Sequence, residues 1–95
     1  MNVKVIRMSS GEDVVADVME DNEETLSIMN PIVAFNQGNG KLGFAPYAPL
    51  LNSEEKELVI NKKWVVYIAN VNNELVENYE EMFSPIKTPA KKLIL

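Results

Sequence analysis

The sequence contains no cysteine and no histidine. Without cysteine there can be no disulfide, no thiolate zinc site and no cysteine nucleophile. Without histidine the chain lacks the most common metal ligand and the most common general base near neutral pH. Because no nucleophile motif is present either, we expect a protein that is not an enzyme, with no catalytic residues, no metal and no cofactor.

Long apolar segments are also missing. No apolar run approaches the roughly 18–20 residues that a membrane-spanning helix needs, and residues 1–8 lack the apolar core of a signal peptide. Apolar residues make up 46% and charged residues 24% of the 95, as in ordinary globular proteins. We therefore expect one small intracellular domain, located in the cytoplasm and with no membrane partner.

Basic residues are scarce and unevenly distributed. The chain has 9 Lys and Arg against 14 Asp and Glu, a formal net charge of −5. Residues 1–86 hold all the acidic residues and six bases, which gives 6 − 14 = −8, whereas residues 87–95 carry three lysines and no acidic side chain. A domain of this charge repels polyphosphate at long range, which argues against non-specific nucleic-acid binding but not against a small local site.

Short alternating or β-branched segments indicate strands through most of the chain. They lie at residues 3–8, 14–19, 25–29, 32–37, 41–47, 58–60 and 64–69, with turns at 9–13, 20–24 and 61–63. Pro46, Pro49 and residues 52–56 mark a loop. Gly38-Asn39-Gly40 is a strong hairpin signal, and Pro31 is expected to bend or break the ladder. Five residues are expected to face the core: Val14, Ala16, Val18, Phe44 and Tyr67.

The last periodic segment has the spacing of a helix. Five apolar residues recur on a single helical face, namely Leu75, Val76, Tyr79, Met82 and Phe83. Asn72 or Asn73 can cap the start, which predicts a helix over residues 72–83. The chain is then mainly β, a small, strongly bent antiparallel barrel of five to six strands with one C-terminal helix. This domain spans residues 1–84, and residues 85–95 form a basic and apolar tail.

Two motif-like patterns have simpler structural explanations. Residues 38–43 match G-x-G-x-x-G, but Pro46 forbids the helix that a dinucleotide site needs at the third glycine. Residues 20–24 hold four carboxylates but lack the central glycine and the distal acidic ligand of a calcium loop. A glycine-rich hairpin and a solvated turn account for them.

Residues 3–30 resemble the first motif of the Sm-like (LSm) family. An alternating strand leads into a turn that ends in Gly11 and a polar residue, Asp21 stands five residues before Leu26, and Leu26-Ser27-Ile28 fits the third strand. Residues 59–65 correspond to the second motif, a short strand, a tight turn and a last strand. The resemblance covers about residues 3–70 and is closest to Sm-like proteins of marine bacterial viruses, which implies a virus-infected bacterial host.

The resemblance implies a barrel of the Sm-like or SH3-like kind, an OB-type barrel being the alternative. It also implies a homo-oligomeric ring that closes by pairing of edge strands and binds single-stranded RNA at the rim of its pore. The family's loop aspartate matches Asp21, and its base-contacting asparagine falls on Thr25. Its stacking position falls on Glu24, and its Arg-Gly pair falls on Asn61 and Lys62. The stacking side chain and the arginine of the family are therefore both replaced in this chain.

Residues 62–64 form a local basic and aromatic patch that can take the place of those contacts, because aromatic rings stack bases and lysines bind phosphates. The candidate RNA-binding residues are Asp21, Thr25, Asn61, Lys62, Lys63 and Trp64. The alternative is an assembly or scaffolding subunit that keeps the oligomer, has lost RNA binding, and contacts another protein through its helix and residues 85–95.

Overall fold

The computed structural model describes residues 1–47 and 57–83. They form six strands, β1 (Val3–Met8), β2 (Asp13–Asp21), β3 (Thr25–Gly38), β4 (Lys41–Pro46), β5 (Glu57–Asn61) and β6 (Val65–Asn70), one 3-10 turn (Lys62–Trp64) and one helix, α1 (Asn73–Phe83). The predicted loop around Pro49 and the predicted tail at 85–95 lie outside the described residues. None of the helices among the described residues has the length and apolarity needed to cross a membrane.

The strands form one antiparallel sheet in the order β4-β3-β2-β1-β6, as the mainly β prediction required. The same edge of β3 carries two strands in succession: β5 pairs with residues 25–29 and β4 with residues 32–38. The change of partner falls at Asn30, whose φ of 49° is in the left-handed region, and Pro31. The predicted interruption at Pro31 is thus a local distortion within one long strand.

The predicted barrel is not closed. Closure would require β5 and β6 to pair, and in the described part of the chain β5 pairs only with β3 and β6 only with β1. The 3-10 turn carries the chain from the β3 edge to the β1 edge. β5 and β6 are therefore neighbours in sequence that lie on opposite edges of the sheet and are not bonded to each other.

Two apolar clusters cover opposite faces of the central strands. The first consists of Ile6, Met8, Val14, Ala16, Val18, Leu26 and Ile28. The second holds Val3, Val15, Ile32 and Tyr79, with the apolar face of α1 packed against it. The prediction that Val14, Ala16 and Val18 face the core is confirmed, and Val15 disturbs their alternation because it is buried against the helix.

For three residues the structure differs from the sequence-based prediction. Tyr67 is 46% exposed, because β6 is an edge strand whose outward residues lie beyond both clusters, and Met82 is 50% exposed near the end of α1. Trp64 belongs to the 3-10 turn and not to β6. Phe44 packs against the second cluster while half-buried.

The helix is fixed to the sheet by the Tyr79 hydroxyl. Its oxygen accepts from the backbone N–H of Asp17 at 3.1 Å and lies 2.9 Å from the carbonyl oxygens of both Met29 and Asn30, which share its single proton. These groups are available because the β2–β3 ladder shifts register between Val15 and Asp17. Burial raises the pKa of Tyr79 well above that of an ordinary phenol.

Candidate functional site

The six predicted site residues lie together at one corner of the sheet. Asp21 ends β2, Thr25 begins β3, Asn61 ends β5, and the 3-10 turn supplies the rest. Thr25 and Asn61 are direct cross-strand partners, so their side chains share one face of the sheet. The backbone N–H of Lys62 donates to the carbonyl of Glu24 at 2.9 Å, which ties the 3-10 turn to the β2–β3 turn.

Two asparagines hold the turns at this corner. Asn22 closes the β2–β3 turn, since its backbone N–H donates to the Thr25 carbonyl at 2.9 Å and its amide donates to the Thr25 hydroxyl at 3.3 Å. Asn61 caps the 3-10 turn by accepting the Lys63 N–H at 3.0 Å. Short polar side chains that bond to nearby backbone favour turns in this way. The site therefore rests on locally fixed backbone.

Lys62 bridges the two turns. Its ammonium forms an ion pair with Asp21 and donates to the Asn22 carbonyl at 2.7 Å. The lysine that was predicted to replace a lost RNA contact is thus largely committed to a carboxylate of the same chain. Its charge is balanced by Asp21, and it contributes order to the corner more than net positive potential.

Lys63 and Trp64 are the accessible cation and aromatic ring of the corner. The Lys63 ammonium lies 5.2 Å from the centroid of the Trp64 ring, within cation–π range. Trp64 is 54% exposed, while its carbonyl accepts the Ser9 N–H at 2.7 Å. Among the described residues no ion pair involves Lys63. An anchored backbone therefore presents a solvent-facing indole beside an ammonium.

Two open clefts flank the 3-10 turn. One, of about 480 Å³, is lined by Glu23, Glu24, Asn61, Lys62 and Lys63. The other, of about 580 Å³, is lined by Met8, Ser9, Ser10, Glu12, Tyr47, Ile60, Asn61 and Trp64. Asn61 belongs to both clefts, so a ligand that crosses the corner passes from acidic and basic side chains to aromatic ones.

Tyr47 is a residue of this corner that sequence analysis did not include. Burial, together with the negative charge of Glu12, raises the pKa of Tyr47 above that of an ordinary phenol. Its position directly after β4 gives no hint of Trp64, from which it is separated by 17 positions. Only the packing of the β3 edge brings the two rings to one cleft.

The strands on either side of the corner are open edges. The outward sides of β5 and β6 carry no partner strand within the described residues. Val59 on β5 and Val66 on β6 are 61% and 62% exposed, and both side chains are apolar. Open edges with exposed apolar residues are templates for pairing with another chain.

Neither a protein-family model nor a curated protein matches the chain. Within residues 1–47 and 57–83, no three Asp or Glu side chains are grouped in a way that could hold a metal ion. The observations that bear on function are thus the open edges, the cation–aromatic pair and the two clefts.

Proposed function

We propose that the chain is a non-enzymatic, ring-forming protein of the Sm-like kind that binds single-stranded RNA at the corner formed by Asp21, Thr25 and residues 61–64. The observation that carries the proposal is the exposed Lys63–Trp64 pair between two clefts. Single-stranded nucleic acid is bound by the combination of an aromatic platform with nearby cations.

Ring formation is supported by the two open edges. β5 of one subunit pairs with β6 of the next in this proposal, which covers Val59 and Val66 and leaves no unpaired edge at that junction. Such a head-to-tail contact closes into a cyclic ring when its rotation allows. A ring also repeats the same corner on every subunit.

The chemistry of RNA binding follows from the side chains at the corner. A base stacks on Trp64, a contact generally worth about 1–3 kcal/mol, and Lys63 attracts the adjoining phosphate. Asn61 and Thr25 supply hydrogen-bonding groups for a base edge. Repetition around a ring produces a local band of ammonium groups on a protein whose net charge is −5 per chain.

A second function is favoured by the acidic side chains of the same corner. Glu23 and Glu24 line the cleft that contains the lysines, and Asp21 balances Lys62. Carboxylates repel phosphates, so this arrangement favours an assembly subunit that keeps the oligomer and does not bind RNA. The surface of α1 and residues 85–95 are then the parts that contact another protein.

The test is a fluorescence-anisotropy titration of uridine-rich and adenosine-rich RNAs with the oligomeric protein at near-physiological salt. We expect saturable binding that falls at least tenfold in a double variant, Lys63→Glu with Trp64→Ala. Lys62 is left intact, because Lys62→Glu would place a second carboxylate beside Asp21 and disturb the corner itself.

The matched control is Lys4→Glu. Lys4 bonds to Asn70 at the far end of β1 and β6, so the same charge change occurs away from the corner. Equal losses in the control and the double variant would refute the site. No binding by the wild-type oligomer up to tens of micromolar would refute RNA binding and leave the assembly function.

A further inference from the structure

The distal half of the β3–β4 hairpin extends past the rest of the sheet. The β2–β3 ladder ends where Asp13 pairs with Ala34. Beyond that point β3 and β4 pair only with each other, with Phe35 opposite Gly43 and Asn36 opposite Leu42. In the part of the chain that the structure describes, no strand pairs with the outer edge of β4. A two-stranded ribbon of this kind is marginally stable in water and gains from a further strand.

Both faces of this ribbon expose apolar side chains. Leu42 is 57% exposed on the face where Phe44 packs toward α1, beside an open cleft of about 290 Å³. Phe35 is 45% exposed on the opposite face, and its ring lies across Gly43, where an added Cβ would come within 2.7 Å of Phe35 Cζ. A strand added along β4 would cover side chains on both faces.

The ribbon is almost without charge in an otherwise acidic chain. Between residues 25 and 53 the only charged side chain is Lys41. Depletion of charge marks the centres of protein interfaces. With Lys41 as its one charged residue, the β4 edge has little charge by which to select a partner. For the same reason, two copies of this edge repel each other only weakly.

We propose that two copies of this chain associate through antiparallel pairing of their β4 strands about a two-fold axis at Gly43. The symmetry places Leu42 of each copy opposite Phe44 of the other on one face, an aliphatic–aromatic pair of the kind that stabilises sheets. On the other face the Phe35 and Gln37 side chains of each copy lie over Gly43, so the two-fold axis brings the two Phe35 rings toward each other.

The same register keeps the lysines apart. Lys41 of each copy stands opposite Ala45 of the other, so the two ammonium groups are separated by four strand positions, about 14 Å. This distance exceeds the screening length of about 8 Å at physiological ionic strength. Pro46, which has no N–H to donate, limits the pairing to residues 41–45.

The contact does not depend on the ring proposed above, because β4 is not one of the two edges that form it. If the ring exists, the β4 contact joins two rings and doubles the number of chains. If the ring does not exist, the β4 contact gives a dimer. Light scattering distinguishes these cases by mass.

The experiment compares variants of exposed residues by light scattering over a range of protein concentrations. We expect Leu42→Asp and Ala45→Lys to halve the assembled mass, with at least a tenfold weaker association, because the first places a carboxylate opposite Phe44 and the second places a lysine opposite Lys41. Ala45→Glu places a carboxylate opposite Lys41 and is expected to retain or strengthen the association. Met19→Asp, which changes an exposed apolar residue on β2, is the control and retains the wild-type mass.

The opposite effects of Ala45→Lys and Ala45→Glu are the decisive readout, since a merely misfolded variant would not show them. The proposal is overturned if Leu42→Asp and Ala45→Lys leave the mass unchanged, as they would if residues 48–56 of the same chain covered this edge. A wild-type assembly with an odd number of chains also overturns it. Loss of the ring alone, with β4 intact, gives dimers and leaves the proposal standing.

Discussion

The Tyr79 hydroxyl is the polar group on which the docking of α1 depends. It serves one backbone N–H and two carbonyls at the point where β2 and β3 lose their regular register. Buried backbone groups without partners are costly. The aromatic ring of Tyr79 packs against that of Phe83, with the two centroids 4.8 Å apart. The Tyr79 side chain therefore makes both apolar and polar contacts.

Replacement of Tyr79 by phenylalanine removes only the hydroxyl and leaves these backbone groups unsatisfied. We expect Tyr79→Phe to lower the free energy of unfolding by about 1–3 kcal/mol, as measured by urea denaturation. Tyr67→Phe is the matched control, because Tyr67 is half exposed and its contact with Arg7, 5.8 Å from the ring centroid, uses the ring alone. A cost equal to that of the control would refute the role of the hydroxyl.

The raised pKa of Tyr79 also makes the stability of the fold depend on pH in the alkaline range. Because the folded-state pKa of Tyr79 is raised, its contribution is fully present below the unfolded pKa of about 10 and is lost as the pH rises above it. The difference in stability between wild type and Tyr79→Phe should therefore narrow above pH 10. Denaturation curves at pH 8 and pH 11 measure this, and an unchanged difference would contradict it.

At the scale of elements, α1 begins with a defined cap. The Asn72 side chain accepts the N–H of Leu75 at 2.9 Å, which resolves the two capping possibilities that the sequence left open. We expect Asn72→Ala to cost about 1 kcal/mol of stability, while Asn73→Ala, one residue into the helix, changes it little. Thermal or urea denaturation of the pair measures the difference, and equal effects would contradict the assignment.

Local patterns predicted most strands because alternation and turn residues act within a few positions. Gly38-Asn39-Gly40 forms its hairpin with all three residues at positive φ. The continuity of β3 was not predictable, because Pro31 normally interrupts a ladder. Here Pro31 sits where β3 changes partner and opposite the β2 bulge, so its missing N–H costs no bond, and its carbonyl accepts the N–H of Tyr47 at 3.0 Å.

The candidate site was predictable in outline and not in its electrostatics. The resemblance to the Sm-like motifs singled out Asp21, Thr25 and Asn61, and the basic and aromatic character of residues 62–64 added the rest. The Lys62–Asp21 ion pair and the approach of Tyr47 to the corner depend on how β3 and β5 are aligned, over separations of 41 and 17 positions. The exposure of Tyr67 likewise follows from its place on an edge strand, which residue type does not reveal.

At the scale of the whole molecule, net charge gives the two proposed activities opposite responses to salt. Subunits of net charge −5 repel one another, and added salt screens this repulsion. Binding of RNA through Lys63 releases counterions, with a log–log slope of about −0.7 per phosphate contact. Between 50 and 500 mM NaCl we expect assembly to strengthen and RNA affinity to fall, as measured by light scattering and anisotropy. If assembly and RNA affinity both rose, or both fell, with added salt, that result would contradict this account.

The pairing of β1 with β6 also determines the order in which the parts of the sheet can form during synthesis. Met8 pairs with Val65, 57 positions later in the chain, whereas its pairing with β2 is local. At synthesis rates of about 5–20 residues per second, β6 leaves the ribosome about 3–11 seconds after β1. The nascent chain therefore carries an open β1 edge during that interval, and two ribosomes on the same message bring such edges close together. The sheet is completed only when β6 is available, and until then the open β1 edge can pair with that of another unfinished copy.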